Sequence, residues 1–165
     1  IPASDGNTYI RDNTTWLYDA VDAALVVETA VSVTGAEPTQ IDGGFGPAAE
    51  FANGATQSVA FTRYWPWGEY GVAMDTVIAA SAASTSAFRV QVGWQVNGGA
   101  TTNVPVTVTP GSSTALYTAA LGTIVAAADV AAGDMLTLTV SRLGADGADT
   151  HTGTMRLYSI RLKRV

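Results

Sequence analysis

The stretch GDMLTLTVSRLGADGADTHTGTMRLYSIRLK, residues 133–163, decides the fold class of this chain. In its first half apolar side chains alternate with hydroxyl side chains, Leu136, Leu138 and Val140 against Thr137, Thr139 and Ser141. This two-residue period predicts a β-strand with one buried face. The second half, residues 154–164, has the apolar positions Tyr158, Ile160 and Leu162. A Gly- and Asp-rich segment joins the two halves, so we expect two antiparallel strands, paired as a hairpin or adjacent in a sandwich.

Similar short runs recur along the rest of the chain. Residues 86–96 alternate most regularly, which predicts a central strand. Residues 102–109 also alternate, but Pro105 cannot donate a ladder hydrogen bond, so this strand is expected at a sheet edge. About eight short strands, with turn signals roughly every 8 to 12 residues, are typical of a sandwich. The sequence therefore predicts an all-β protein, an antiparallel and jelly-roll-like β-sandwich.

The sequence divides into two segments of different character, a short N-terminal segment and a longer domain. Residues 1–22 contain turn signals and are too short to bury a core, so we interpret them as a β-meander or arm for attachment or trimerisation. The alternative is that they supply an N-terminal strand of the sandwich. Residues 23–165 are expected to form the jelly-roll domain itself.

Two motifs resemble elements of tailed-phage virion surface proteins, the small jelly-roll domains of tail fibres, head fibres and capsid decorations. The first is GD-x-L-x-L-x-V-x-R-L-x-A-D-x-A-D-T-x-x-G at residues 133–153, and the second is S-D-G-N-T-Y-x-R-x-N-x-x-W at residues 4–16. The resemblance implies a non-enzymatic structural protein on the virion surface that stabilises the particle or attaches it to a host. It also implies a homotrimer that contacts other virion proteins and a host surface glycan, with Tyr9 and Trp16 at the subunit interface.

An aromatic cluster surrounds a Pro-Gly corner and includes Trp65, Trp67 and Tyr70. Aromatic faces offer a large rigid area for stacking on sugar rings, so these residues are candidates for glycan binding. The alternative is that they fill the end of the sandwich or a subunit interface. The glycan-binding interpretation supports a different function, that of a secreted bacterial carbohydrate-binding module.

The last predicted strand has apolar side chains on both faces at its start. Met155 and Leu157 lie opposite the face of Tyr158, Ile160 and Leu162 if the strand is regular. An outer face covered by a neighbouring subunit would have this pattern, so Met155 and Leu157 are predicted at a subunit interface. A β-bulge near Tyr158 would explain the same pattern without any partner.

The sequence contains no recognisable catalytic or metal-binding motif. His151 is the single histidine, and no G-x-S-x-G motif accompanies it, which disfavours a catalytic triad. Asp146 and Asp149 lack the spacing of a calcium loop. Asp149 is instead expected to pair with Arg142 as a structural contact. We therefore expect no catalytic residues, no metal, no cofactor and no enzymatic activity.

Composition and charge restrict the possible partners. The net charge of −6 argues against nucleic-acid binding, which needs a clustered basic surface. No apolar run approaches the roughly 18 residues that span a bilayer, so membrane insertion is not expected. Cysteine is absent, which excludes disulfides and thiolate metal sites.

Overall fold

A computed structural model describes residues 39–42, 45–68, 70–111 and 114–165. These residues form nine β-strands and one short 3₁₀ turn, Ala127–Asp129. The strands are β1 Thr39–Asp42, β2 Pro47–Phe51, β3 Thr56–Tyr64, β4 Val72–Ala80, β5 Phe88–Val96, β6 Thr102–Val108, β7 Tyr117–Val125, β8 Met135–Leu143 and β9 Met155–Arg164. Tyr9, Trp16 and the whole predicted arm 1–22 lie outside the described residues, so their roles stay predictions.

Two antiparallel sheets contain these strands. One has five strands in the order β1-β2-β9-β4-β7, and the other has four in the order β3-β8-β5-β6. The prediction of an all-β antiparallel sandwich is thus confirmed. The central position of β5 and the edge position of the Pro105 strand β6 are confirmed as well.

The core lies between the sheets because alternate residues of the central strands point inward. Leu136, Leu138 and Val140 of β8 are at most 1% exposed. They pack in one apolar cluster with inward side chains of the other sheet, including Met74, Ile78 and Ile160. The two-residue period therefore gave the buried face of β8 correctly.

The predicted pairing of the two halves of residues 133–163 is wrong. Strand β8 pairs with β3 and β5 in the four-stranded sheet, whereas β9 pairs with β2 and β4 in the other sheet. The segment between them crosses from one sheet to the other. Both strands have one apolar face, and their placement in opposite sheets directs both faces into the same core.

The predicted placement of Met155 and Leu157 on an outer face at a subunit interface is wrong, and the alternative of a β-bulge near Tyr158 describes this strand. Their side chains are 1% and 2% exposed and belong to the core. A bulge in β9 explains this, because Val77 pairs with Ser159 and Ile78 with Leu157, which leaves Tyr158 as the extra residue. The extra residue shifts the alternation of inward and outward side chains by one position. Met155 and Leu157, before the bulge, therefore share the inward face with Ile160, after it.

Candidate functional site

Trp65 is a core residue and not part of a surface platform. It follows the last residue of β3 and is only 1% exposed. Its backbone N–H donates to the carbonyl of Asp134 at 2.7 Å, and its carbonyl accepts from Gly133 N–H at 2.9 Å. Trp67 packs edge-on against it, with the ring centroids 4.6 Å apart. The two tryptophans therefore close one end of the sandwich, as the second interpretation of the aromatic cluster predicted.

Tyr70 is the one residue of the predicted cluster with a largely accessible ring, at 45% exposure. The Arg164 guanidinium lies 5.4 Å from the centre of that ring, a cation–π distance. Reciprocal backbone hydrogen bonds between Gly71 and Val165, 2.8 and 3.0 Å long, fix the chain beside it. The structure therefore separates the three predicted residues: Trp65 is in the core, Trp67 packs against it, and only Tyr70 presents an open ring.

The most exposed aromatic ring among the described residues belongs to Tyr64, which the sequence analysis did not select. Its exposure is 61%. It is the last residue of β3 and lies opposite Met135 of β8, itself 43% exposed, on the outer face of the four-stranded sheet. The signal in the sequence was the alternation of β3, which places Tyr64 and Thr62 opposite the inward Phe61.

Next to Tyr64 a row of uncharged polar side chains crosses three strands of this sheet, β3, β8 and β5, and ends at Thr101, the residue before β6. We call Thr62, Thr137, Gln95 and Thr101 the polar row. The Thr62 and Thr137 hydroxyl oxygens are 3.1 Å apart, and Gln95 Nε2 donates to Thr101 Oγ1 at 2.6 Å. Thr137 lies between Thr62 and Gln95 by strand register. The row therefore spans about 14 Å, three interstrand spacings, with no charged side chain in it.

A fixed turn supports one end of the polar row. Asn97, at a left-handed φ of 51°, donates from Nδ2 to Asp134 Oδ1 at 2.7 Å and accepts at Oδ1 from Met135 N–H at 2.9 Å. Asp134 Oδ2 also accepts from Ala131 N–H at 2.7 Å. The backbone bond from Ala131 and the amide bond from Asn97 hold the Asp134 pKa below its ordinary value, so this carboxylate stays ionised. These contacts join the turn after β5 to the start of β8.

The predicted Arg142–Asp149 contact exists and lies at the opposite end of the sandwich. Both side chains are 0% exposed, and Arg142 Nη2 is 2.8 Å from Asp149 Oδ1. Arg142 also donates to the backbone carbonyls of Phe51, Gly153 and His151 at 3.2, 2.7 and 2.6 Å. Its guanidinium therefore joins the end of β2 to the connection between β8 and β9. These donors are committed to structural contacts, which leaves Arg142 no role in a surface site.

His151 packs beside this ion pair and is 1% exposed. Its ring stacks on Phe88 at 4.2 Å between centroids, and its Nδ1 accepts from Gly153 N–H at 3.0 Å. Burial, followed by the positive charge of Arg142, lowers the His151 pKa below its usual 6.5. The residue is thus a neutral part of the core and does not lie at the surface of the loop.

The described residues contain neither a group of side chains that could hold a metal ion nor a helix that could span a membrane. Across residues 39–42, 45–68, 70–111 and 114–165, no three His, Asp or Glu side chains are grouped so that they could hold a metal ion. No helix in those ranges has the length and apolar character of a membrane span.

Comparisons with known proteins support the fold. No protein-family description matches the sequence, and no curated protein matches it. An exo-beta-1,3-galactanase from Phanerochaete chrysosporium, solved with galactose, superimposes with a TM-score of 0.52 at 14% identity, over 86% of this chain and 29% of that chain. The carbohydrate-binding module CBM36, solved with calcium and xylotriose, gives 0.48 at 20% identity, over 86% and 99%. The enzymatically active domain of bacteriophage CBA120 tailspike protein 4 gives 0.48 at 8% identity, over 83% and 19%.

The similarity to these proteins is one of fold. At such identities a similar structure shows a similar fold, and of the three only the galactanase has a TM-score above 0.5. This chain spans less than a third of that galactanase chain. The jelly-roll architecture is therefore shared, while ligands and activities have to be argued from this chain's own residues.

Proposed function

We propose that this chain is a non-catalytic carbohydrate-binding β-sandwich module, with its glycan site on the outer face of the four-stranded sheet. The observation that carries the proposal is the Tyr64 ring, 61% exposed, beside the polar row. This is the alternative function of the sequence analysis, with a different set of residues. Trp65 cannot stack on a sugar because it is buried.

The chemistry of the site matches a neutral sugar. The C–H face of a pyranose ring is apolar and packs on an aromatic face such as that of Tyr64. Sugar hydroxyls both donate and accept hydrogen bonds, and so do the Thr hydroxyls and the Gln95 amide of the polar row. Cross-strand hydrogen bonds already orient these side chains, which lowers the entropy lost on binding. The similarity in fold to part of a galactanase solved with galactose is consistent with this class of ligand.

The test is a binding titration with matched variants. We would measure binding of β-1,3-galactotriose, β-1,4-galactotriose and xylotriose by calorimetry to the wild-type chain, Tyr64→Ala and Tyr70→Ala. An aromatic stacking contact is worth about 0.5–1.5 kcal/mol, so Tyr64→Ala should weaken binding roughly 2- to 12-fold. Tyr70→Ala is the control, because Tyr70 belongs to a separate surface beside Arg164. Equal affinities for Tyr64→Ala and wild type would remove Tyr64 from the site.

A hydroxyl of the polar row can be tested without changing the shape of the surface. Thr137→Val replaces the hydroxyl by a methyl group of similar volume, and the loss of one hydrogen bond costs about 0.5–1.5 kcal/mol. We expect weaker binding with unchanged folding. Since the module is proposed to be non-catalytic, all three trisaccharides should be recovered intact after long incubation with the chain.

A second candidate function is the virion surface role, favoured by the sequence resemblance at residues 133–153 and 4–16. In the first of these motifs, Arg142, Asp149 and Gly153 belong to the buried ion-pair network. These three residues of the motif therefore fix the conformation of a loop and do not form a contact surface for a partner. Native mass spectrometry separates the candidates: a homotrimer without glycan affinity favours the virion surface, and a monomer that binds trisaccharide favours the module.

A further inference from the structure

Ala48 lies on the outer face of the five-stranded sheet, because the inward side chains of β2 are Ala49 and Phe51. It is 7% exposed, and strand register places it beside Glu50 of its own strand and Tyr158 of β9. Its methyl group is shorter than these side chains, which makes Ala48 the low point of the group. We call the group Phe45, Ala48, Glu50, Arg156 and Tyr158 the Ala48 depression.

Two aromatic rings line one side of the Ala48 depression. Phe45, in the turn between β1 and β2, is 56% exposed. Its ring meets Tyr158 edge to face, with centroids 5.9 Å apart and planes at 77°. Tyr158 is half-buried and is the extra residue of the β9 bulge, which is why it points outward here. The two rings at this angle form an apolar corner beside a small residue.

An ion pair lines the other side of the Ala48 depression. Arg156 Nε donates to Glu50 Oε2 at 2.8 Å, and the two side chains are 30% and 24% exposed. Strand register fixes the pair, because Glu50 lies opposite Arg156 on β9. The hydrogen bond to Glu50 raises the Arg156 pKa above its ordinary value, so the guanidinium keeps its charge. The pair has no net charge, so it offers strong acceptors and donors without selecting a charged ligand.

We propose that the Ala48 depression is a second carbohydrate site, which takes one pyranose ring of a neutral glycan. The inference rests on the proposed function, because it assigns the same class of ligand to a second surface. The apolar face of the sugar packs on Phe45 and Tyr158 above Ala48. Neighbouring hydroxyls of the same ring donate to the Glu50 carboxylate and accept from the Arg156 guanidinium.

The placement of the two sites has a consequence for how the module binds. Tyr64 and the Ala48 depression lie on the outer faces of opposite sheets, and packed sheets are about 10 Å apart. The two surfaces face away from each other, so one trisaccharide cannot reach both. A trisaccharide should therefore bind with a stoichiometry of two, and a long polysaccharide should be cross-linked by the module.

The experiment is a calorimetric stoichiometry with β-1,3-galactotriose, β-1,4-galactotriose and xylotriose, combined with backbone amide NMR shifts. We expect two sites in the wild type. Phe45→Ala should weaken only the second site and Tyr64→Ala only the first, each roughly 2- to 12-fold, and the double variant should weaken both. Glu50→Gln keeps both rings and replaces a charged acceptor by a neutral one, so it should weaken only the second site, by about 5-fold or more. Phe45→Trp should retain that site. If Phe45→Ala does not fold, Glu50→Gln decides the question.

The outcomes distinguish the two proposals. Shifts confined to Thr137 and its neighbours, with one site that Phe45→Ala and Glu50→Gln leave unchanged, would overturn the second site and leave the proposed function standing. Shifts confined to Ala48 and its neighbours would support the depression and remove the Tyr64 surface. No binding of any of the three trisaccharides by the wild type would overturn both.

Discussion

Removal of the Asp149 carboxylate should strongly destabilise this domain, whereas removal of the nearby Asp146 carboxylate should not. Asp149 accepts three hydrogen bonds: from Arg142 Nε at 2.9 Å, from Arg142 Nη2 at 2.8 Å and from the backbone N–H of Arg89 at 3.1 Å. In Asp149→Ala the Arg142 charge stays in the core, where its side chain is 0% exposed, without its carboxylate. Asp146 accepts from Ala148 N–H at 2.8 Å in an exposed turn.

The expected losses in the free energy of unfolding differ severalfold between Asp149→Ala and Asp146→Ala. Breaking a buried ion pair from one side costs about 3–5 kcal/mol because an uncompensated charge remains. A domain is stable by only about 5–15 kcal/mol, so this loss is a large share of the total. At about 2–4 °C per kcal/mol for a chain of this size, Asp149→Ala should lower the melting temperature by roughly 6–20 °C. Asp146→Ala removes one exposed hydrogen bond and should cost about 0.5–1.5 kcal/mol.

Urea unfolding followed by tryptophan fluorescence is a suitable assay, because Trp65 is 1% exposed and reports on the core. The midpoints of wild type, Asp149→Ala and Asp146→Ala would be compared at pH 7, together with the slopes of the transitions. Arg142→Met combined with Asp149→Ala should recover part of the loss, because it removes the unpaired charge. Equal midpoints for the two single variants would refute the reasoning.

Two further predictions concern the same end of the sandwich. Burial, and to a lesser extent the charge of Arg142, lowers the His151 pKa below 6.5 in the folded state. On acidification the imidazole is therefore protonated at a higher pH in the unfolded chain than in the folded chain. The His151 contribution to the free energy of unfolding is therefore complete above about pH 6.5 and falls below it, by at most about 1.4 kcal/mol per pH unit. Urea midpoints measured from about pH 7.5 to about pH 5 should fall less steeply in His151→Gln, and an unchanged slope would exclude His151 as the cause. Gly144→Ala should cost about 1–3 kcal/mol, because overpacking shifts the backbone. Its added Cβ would lie 2.7 Å from the Ala55 carbonyl oxygen, whereas in the control Gly147→Ala it would meet nothing within 4 Å. Matching thermal midpoints for these two glycine variants would contradict that reading of the contact.

Much of the fold could be predicted from local patterns. The alternation in β8 gave its buried face, Pro105 gave the edge position of β6, and the Asp149–Arg142 contact followed from residue types at the ends of one connection. The surface site could not be predicted in the same way. Tyr64 becomes a candidate only when Thr137 and Gln95 from other strands are placed beside it in register. That register is set by burial of the whole sheet and not by neighbouring residues in the sequence.

The sequence by itself determined most of the strands, the inward faces of several of them and the all-β class, because the two-residue period is a property of each segment alone. The tertiary structure decided which strands are neighbours, that β8 and β9 lie in opposite sheets, and that the β9 bulge directs Met155 inward and Tyr158 outward. It also decided that Trp65 closes the core while Tyr64 and Phe45 remain at the surface. These outcomes depend on the packing of two complete sheets, where a shift of one residue exchanges the buried face for the exposed one.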